Sequence, residues 1–148
     1  MKLALKLTFV IFVISCNNKP IKVTPDLIYF EAGTKGNPSD WRDTSFIVAT
    51  ANTALIAEAR SQLQLPVKDR KMVNGEILPG NGGYNSNAAH QFKWHFKEDA
   101  WQFAELSMEL CDGRAYSDVD LNIDHWIKDV KRFCPWNSYI KKEITIVK

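Results

Sequence analysis

Residues 91–97 carry the pattern that most restricts the fold, an alternation of aromatic and polar side chains. Phe92, Trp94 and Phe96 occupy every second position, with lysine or histidine between them. Successive side chains of a β-strand point to opposite faces, so the alternation predicts a strand with one buried aromatic face. A strand of this kind needs a hydrophobic layer to cover it, which predicts a sheet packed on a core.

The composition agrees with a folded domain. Five tryptophans, eight phenylalanines and four tyrosines are too many for a disordered chain. A length of 148 residues suits one domain. We predict an α+β fold with one mostly antiparallel sheet of about five strands, two helices and one disulfide.

Periodicity and turn residues locate the predicted strands. The candidate segments are residues 27–30, 45–50, 72–77, 91–97, 103–111 and 138–147. The first two could pair as a hairpin. Residues 72–77 could instead form a hairpin around an Asn-Gly pair, and residues 103–111 also fit a helix moderately. Residues 98–102 look like one helical turn.

Two longer segments have helical spacing. The first begins at Asn52 or Thr53, either of which can cap it, and ends before Pro66. The second covers residues 117–131, where Ser117 and Asp120 have the spacing of a capping box. We expect both helices on one face of the sheet.

Residues 1–16 have the features of an export signal. Lys2 and Lys6 lie at the start of an apolar segment, residues 3–14, that is too short for the ~20 residues of a membrane span. A Ser-Cys-Asn-Asn sequence follows, with Cys16 at its second position. It resembles the lipoprotein signal of Bacteroidota, in which the cysteine is lipidated. Ordinary secretion with cleavage nearby, or an unmodified Cys16, is the alternative.

This signal predicts the layout and location of the protein. Residues 1–15 would be the signal peptide, residues 16–26 a tether and residues 27–148 a single domain. No acidic residue follows Cys16 within the next several positions, whereas surface-exported lipoproteins of that phylum often carry one. We therefore expect an exported protein that is anchored in the outer membrane and faces the periplasm.

Removal of the signal changes the charge balance. Residues 1–15 contain two lysines and no acidic residue, so the 19 basic residues fall to 17, equal to the 17 acidic ones. A neutral chain gives no argument for a nucleic-acid partner.

The export signal also decides how the three cysteines are interpreted. With Cys16 set aside, Cys111 and Cys134 remain. An even pair in an exported protein predicts a disulfide. The alternative is two reduced, buried thiols.

A polar cleft is predicted where two strands meet. If residues 91–97 pair antiparallel with residues 103–111, their polar faces lie side by side. The facing side chains would be Lys93 and His95 on one strand and Glu105, Ser107 and Glu109 on the other. A glycine- and asparagine-rich loop at residues 80–85 would roof the cleft. The simpler interpretation is a solvated sheet face with weak ion pairs.

The cleft supplies the candidate site residues. The predicted binding residues are Asn81, Tyr84, Asn85, His95, Glu109 and Asp112. No catalytic residue is assigned, although His95 and Glu109 would be the most reactive groups. No metal-ligand spacing occurs among the three histidines, so no metal or cofactor is expected. Trp136 is predicted to pack in the core beside the disulfide, or else to form a wall of the cleft with Tyr84.

Four short motifs in order carry a family resemblance. They are Gly-Asn-Gly-Gly-Tyr-Asn at 80–85, Trp-His-Phe at 94–96, Cys-Asp-Gly at 111–113 and Cys-Pro-Trp at 134–136. Over residues 27–143 the chain resembles the N-terminal domain of a slime-mould calmodulin-binding protein family, which is similar to domains in secreted bacterial proteins. The resemblance implies a fold. It implies no activity, because none is established for these domains. Calmodulin is not expected as a partner, because its targets are basic amphipathic helices and residues 117–131 are net acidic.

The predicted function is therefore non-enzymatic. The chain would be a lipid-anchored envelope protein, held to the membrane through Cys16, whose compact domain binds a protein, a peptide or a small ligand. One alternative is a hydrolase that uses His95 and Glu109. The other is a calcium-dependent binding module with Asn81, Asn85 and Asp112 as oxygen ligands, although no EF-hand loop supports it.

Overall fold

The computed structural model describes residues 26–146. Within them, eight strands form three antiparallel sheets. The strands are β1 (Ile28–Thr34), β2 (Ser45–Thr50), β3 (Met72–Pro79), β4 (Ser86–Asn87), β5 (His90–Gln91), β6 (Trp94–Ala104), β7 (Arg132–Phe133) and β8 (Ser138–Ile144). The predicted mixture of helix and antiparallel sheet is confirmed, whereas the single sheet of about five strands is wrong.

The predicted signal peptide, Cys16 and all of the tether except Asp26 lie outside the described residues. None of the helices in the described part of the chain is long and apolar enough to cross a membrane.

The first sheet has β1 between β2 and β8. Strands β1 and β2 pair antiparallel, as the sequence predicts. Phe30 and Ala32 of β1 and Phe46 and Val48 of β2 are buried in the main core. Strands β1 and β2 therefore both supply side chains to the core.

The second sheet has β3 between β6 and β7, and it carries the aromatic pattern. Phe92, Trp94 and Phe96 are all buried, which confirms the predicted aromatic face. The ring centroid of Trp94 lies 5.5 Å from that of Phe46 in the first sheet and 5.1 Å from that of Phe133 in β7. The aromatic layer therefore packs the two sheets together.

Strand β6 continues through residues 98–102, so the predicted helical turn there is wrong. The pairing with β3 shifts between Gly75 and the next paired residue, and residues 97–100 bulge out of the ladder. After the bulge Trp101 is buried, and its indole N–H donates to the Ala49 carbonyl oxygen over 2.8 Å. Burial of this side chain outweighs a local helical preference.

Strand β3 runs straight through the Asn-Gly pair, so the hairpin alternative does not occur. A Cβ atom on Gly75 would lie 2.6 Å from the Cβ atom of Trp101. Glycine at this position lets the two strands approach each other closely.

The strand predicted over residues 103–111 is also wrong, because β6 ends at Ala104. The chain instead leaves the sheet and turns at Glu109–Cys111. Of the four apolar side chains that produced the alternation, Ala104 is half-buried at the end of β6, and the other three are exposed: Leu106 (85%), Met108 (70%) and Leu110 (80%). The period-two pattern here does not correspond to a buried face.

The turn brings Cys111 to Cys134. Their Cα atoms lie 5.3 Å apart, within the range of disulfide bridges, which supports the predicted pairing. The Cys134 N–H donates to the Cys111 carbonyl oxygen over 2.8 Å. The bridge therefore ties the turn to the chain just after β7.

The first predicted helix is confirmed as α1 (Thr53–Leu63), with Asn52 as its cap. The Asn52 side-chain oxygen accepts from the backbone N–H groups of Ala54 and Leu55. The Asp99 carboxylate, in the β6 bulge, accepts from the Asn52 N–H over 3.2 Å. The bulge therefore helps to fix where the helix begins.

The second predicted helix is interrupted after Asp120. A π-helical segment, Ala115–Asp120, is followed by an α-helical turn, Ile123–His125, and by a second π-helical segment, Trp126–Val130. The predicted capping box does not form, because the Ser117 hydroxyl donates to the buried Asp43 carboxylate instead. The buried Asp120 carboxylate accepts from the Lys93 N–H and faces His90. These long-range bonds fix the first segment and compete with regular helical geometry.

Candidate functional site

The loop at residues 80–85 has a structural role. Tyr84 is buried, and its hydroxyl donates to the Phe96 carbonyl oxygen over 2.8 Å. Burial raises the pKa of the Tyr84 phenol far above its ordinary value. The fully buried Asn85 side chain accepts from the Ile47 N–H and donates to the Trp94 carbonyl oxygen. These two predicted binding residues therefore connect β2, β6 and the loop inside the protein.

Asn81 and His95 also hold the loop in place. The Asn81 side-chain oxygen accepts from the Gly83 N–H. The His95 Nδ1 lies 2.6 Å from the Gly80 carbonyl oxygen, and the residue is 9% exposed. Gly82 has a φ of +61°, and a Cβ there would lie 2.9 Å from the His95 ring. The loop needs glycine at that position because it packs directly on the histidine.

The strand pairing on which the predicted polar cleft depended does not form, because β6 pairs with β3 and not with residues 103–111. Glu109 is an exposed residue of the turn before Cys111 and lines a shallow hollow with His125. His95 contacts the glycine loop, with Glu98 at 4.0 Å as its carboxylate neighbour. The strand pairing that was to bring His95 and Glu109 together is therefore absent from residues 26–146.

The calcium alternative does not gain support either. The amide oxygens of Asn81 and Asn85 already accept backbone hydrogen bonds. Among the described residues no group of three or more histidine, cysteine or acidic side chains could hold a metal ion.

A cavity of about 230 Å³ lies beside the disulfide. Three chain segments form it: the loop after β1, the chain that follows Cys111 and the chain that follows Cys134. Its lining is Thr34, Lys35, Gly36, Asn37, Pro38, Phe46, Asp112, Gly113, Arg114, Ala115, Phe133, Pro135, Trp136 and Asn137. The buried rings of Phe46 and Phe133 belong to the aromatic core, and the other segments contribute charged and amide side chains.

Hydrogen bonds hold the three segments together. The Lys35 N–H donates to the Asn137 carbonyl oxygen over 2.7 Å. The Asp112 carboxylate accepts from the Trp136 N–H over 3.3 Å. Gly36 has a φ of +88° and open space around it, so the loop after β1 can turn sharply at the rim. These contacts give the cavity fixed walls.

Trp136 is exposed by 51%, so the prediction that it packs in the core is wrong. The Ser138 N–H donates to the Pro135 carbonyl oxygen in a tight turn, and Pro135 is buried while Trp136 is not. The turn sends the proline inward and the tryptophan outward. Its alternative partner Tyr84 is buried elsewhere, so the two do not form a wall together.

A second hollow of about 370 Å³ adjoins the cavity. It shares Lys35 and Trp136 with the first. The rest of its lining is Lys68, Asp69, Arg70, Lys71, Met72, Ala104 and Glu105. Trp136 therefore stands between two polar depressions.

Several basic groups of the second hollow are already engaged. The Arg70 guanidinium donates to three backbone carbonyl oxygens, among them those of Leu63 and Ile140. The Lys71 ammonium lies 3.4 Å from the Glu105 carboxylate. Arg70 therefore has a structural role, and Lys71 is partly neutralised.

Of the six predicted binding residues, Asp112 alone lines the cavity. Sequence reasoning missed Lys35, Arg114 and the exposed position of Trp136. One signal could have found the site, since the predicted disulfide brings Cys-Asp-Gly and Cys-Pro-Trp to the same place. The residues that follow both cysteines then have to share one surface.

The family comparison covers the whole of this architecture. The family model of the BP-74 N-terminal domain matches residues 28–147. No curated protein and no solved structure was found to match the chain. The matched range includes all three described sheets, the paired cysteines and every residue that lines the cavity. The chain belongs to the family of the BP-74 N-terminal domain, the same domain that its motifs resemble.

Proposed function

We propose that this chain is a lipid-anchored bacterial envelope protein whose domain binds a polar ligand in the cavity beside Trp136. Export and anchoring rest on the charged and apolar pattern of residues 1–15 and on Cys16. The role is binding, and no reaction is assigned to it.

The observation that carries the proposal is the position of Trp136. A half-exposed indole stands at the mouth of a cavity whose rim carries Lys35, Asp112 and Arg114. Binding sites combine apolar and aromatic walls with a few placed polar groups, and this cavity has both. The three wall segments are tied to each other by hydrogen bonds, so the site exists before a ligand arrives.

A thermal-shift panel tests the proposal. The purified protein is heated with monosaccharides, amino acids, dicarboxylates and short peptides, each in turn. A ligand that binds the folded state alone raises the melting temperature. We expect at least one compound to do so for the wild type but not for Trp136→Ala.

Trp41→Ala is the matched control, because Trp41 is 52% exposed and does not line the cavity. Its response to the panel should equal that of the wild type. If every stabilising compound still acts on Trp136→Ala, the cavity is not the binding site.

A further inference from the structure

We infer that the ligand is an anionic oligosaccharide that lies across Trp136 and reaches both hollows. The inference rests on the proposed function and names the chemical class that the site selects. It combines the shape, the charge and the aromatic centre of the same surface.

The shape indicates an elongated ligand. The first cavity, at about 230 Å³, is smaller than the roughly 300–1,000 Å³ of typical small-molecule pockets. The second hollow adds about 370 Å³, and Lys35 and Trp136 belong to the walls of both. A ligand that occupies both hollows has to be elongated, because Trp136 stands between them.

The charge indicates an anion. The combined lining holds five basic side chains and three acidic ones. The basic ones are Lys35, Lys68, Arg70, Lys71 and Arg114, and the acidic ones are Asp69, Glu105 and Asp112. The chain after residue 15 has equal numbers of each, so this surface is more basic than the rest.

The first cavity and the second hollow together form a groove that passes Trp136, and the basic groups are spaced along it. Arg114 belongs to the first cavity, Lys68 to the second hollow, and Lys35 lies between them. Arg114 and Lys68 are exposed, and the Lys35 ammonium donates to the Arg70 carbonyl oxygen over 3.2 Å. Carboxylates repeated along a chain can meet these cations one after another.

The aromatic centre indicates a sugar. The apolar C–H face of a pyranose ring can lie on the electron-rich face of an indole, while the ring hydroxyls remain at its edge. Asn37 and Asn137 on the rim offer donors and acceptors to those hydroxyls. An exposed tryptophan between amides and cations therefore suits an acidic sugar chain.

An acidic peptide fits the same surface less well. Extended peptides are often held by backbone hydrogen bonds to an exposed strand edge. In this region β1 is paired on both sides, with β2 and with β8, and loop segments form most of the first cavity. The first cavity therefore offers mainly side chains to a ligand, and the edge strand β6 reaches the second hollow only with its last residue, Ala104.

Isothermal titration of the purified protein tests the inference with three probes of similar length. They are a hexamer of galacturonate, the neutral hexamer of glucose and a hexapeptide of glutamate. We expect the galacturonate hexamer to bind at least tenfold more tightly than the other two, and its affinity to fall as salt is added.

Variants link the binding to the groove. Trp136→Ala should weaken the galacturonate hexamer at least tenfold, and Arg114→Gln and Lys68→Gln should each weaken it severalfold. Trp41→Ala and Lys128→Gln, which alter exposed residues outside both hollows, should leave it within twofold.

Each failure has a separate meaning. Equal binding of the neutral and acidic hexamers, or tighter binding of the glutamate peptide, overturns the assigned class while the Trp136 site stands. The same holds if only a compound of another class binds in a Trp136-dependent way. If nothing in the titrations or in the thermal-shift panel depends on Trp136, the inference and the proposed function both fail.

Discussion

Among single residues, the tryptophans separate the core from the surface. The Trp94 indole is fully buried and donates to the Ala115 carbonyl oxygen over 3.0 Å. The Trp136 indole is half exposed at the cavity mouth. The two residues have the same side chain in opposite environments, so the same substitution at each gives a direct comparison.

Truncation at these two positions should have unequal effects on stability. Trp94→Ala should lower the free energy of unfolding by about 3–5 kcal/mol, because it leaves a cavity in the aromatic core. Trp136→Ala should change it by less than about 1 kcal/mol, as is usual at exposed positions. Urea unfolding of both variants measures the difference. A loss of several kcal/mol on Trp136→Ala would mean that the ring is packed in the core.

Tyr84 should make stability depend on alkaline pH. Its pKa is raised in the folded state by burial, whereas the unfolded chain ionises near pH 10. Above that pH the unfolded state alone loses the proton, so folding stability that is fully present below pH 10 declines as the pH rises.

The variant Tyr84→Phe isolates this contribution. At pH 8 the wild type should be more stable by about 1 kcal/mol, because the variant loses the bond to the Phe96 carbonyl oxygen. By pH 11 the wild type should lose about 1.4 kcal/mol relative to the variant, so that the variant becomes the more stable protein by about 0.4 kcal/mol. Unfolding free energies of both proteins from pH 8 to pH 11 give the comparison. A constant difference across that range would show that Tyr84 ionises freely in the folded protein.

Residue patterns predicted the core better than the site. Phe92, Trp94 and Phe96 could be assigned to the core because their alternation is local and repeats. Tyr84 and Trp136 lie next to glycine and proline, where no period exists, so no pattern assigned a direction to their side chains. Tyr84 is buried through its bond to Phe96, and Trp136 is exposed through the turn at Pro135; a periodic pattern encodes neither.

At the scale of elements, the sequence-based predictions failed where strand pairing between distant segments determined the structure. The chain from residue 98 to residue 110 looks like a turn followed by an alternating strand. In the structure the strand comes first and the apolar alternation is left outside the sheet. The reason is that β3 pairs with both parts of β6 around a bulge, which Gly75 permits. Asn52 was predictable as a cap because capping involves only its immediate neighbours.

The turn at Glu109–Cys111 and the end of β7 should depend on the predicted bridge. The cysteines are separated by 23 positions, and closing a loop of that length stabilises by about 3–4 kcal/mol in the chain-entropy account. The double variant Cys111→Ala/Cys134→Ala should have a free energy of unfolding that is lower by that amount, as measured by urea unfolding.

Alkylation of the native wild type is the accompanying check. Under non-reducing conditions neither Cys111 nor Cys134 should react, and mass spectrometry should show both unmodified. Two alkylated cysteines in the air-oxidised protein would rule out the bridge.

For the whole molecule, the proposed function combines a lipid anchor at Cys16 with a binding domain. Metabolic labelling with a fatty-acid analogue should mark the wild type and leave Cys16→Ala unlabelled. Equal labelling of the two would exclude lipidation at Cys16.

Protease added to intact cells should leave the domain uncut if it faces the periplasm, and removal of the domain would place it on the cell surface.

The proposed binding site is built from segments that are far apart in the sequence. Its walls come from residues 34–38, 112–115 and 135–137, which are distant in sequence and meet only through the sheets and the cysteine pair. Two of the segments carry motifs that resemble the family, yet no spacing rule identifies them as a site. For this reason the sequence could suggest a binding domain without locating its cavity.

The most direct measurement is the set of indole N–H signals in a proton–nitrogen correlation spectrum of the purified protein. The protein has five tryptophans, and the indoles of Trp94 and Trp101 are bonded inside the core. On titration with the galacturonate hexamer and with the strongest stabiliser from the panel, we expect the Trp136 signal to move progressively while those of Trp41, Trp94 and Trp101 stay within the line width. A spectrum in which the Trp136 signal remains fixed while a bound ligand shifts Trp41 would contradict the account.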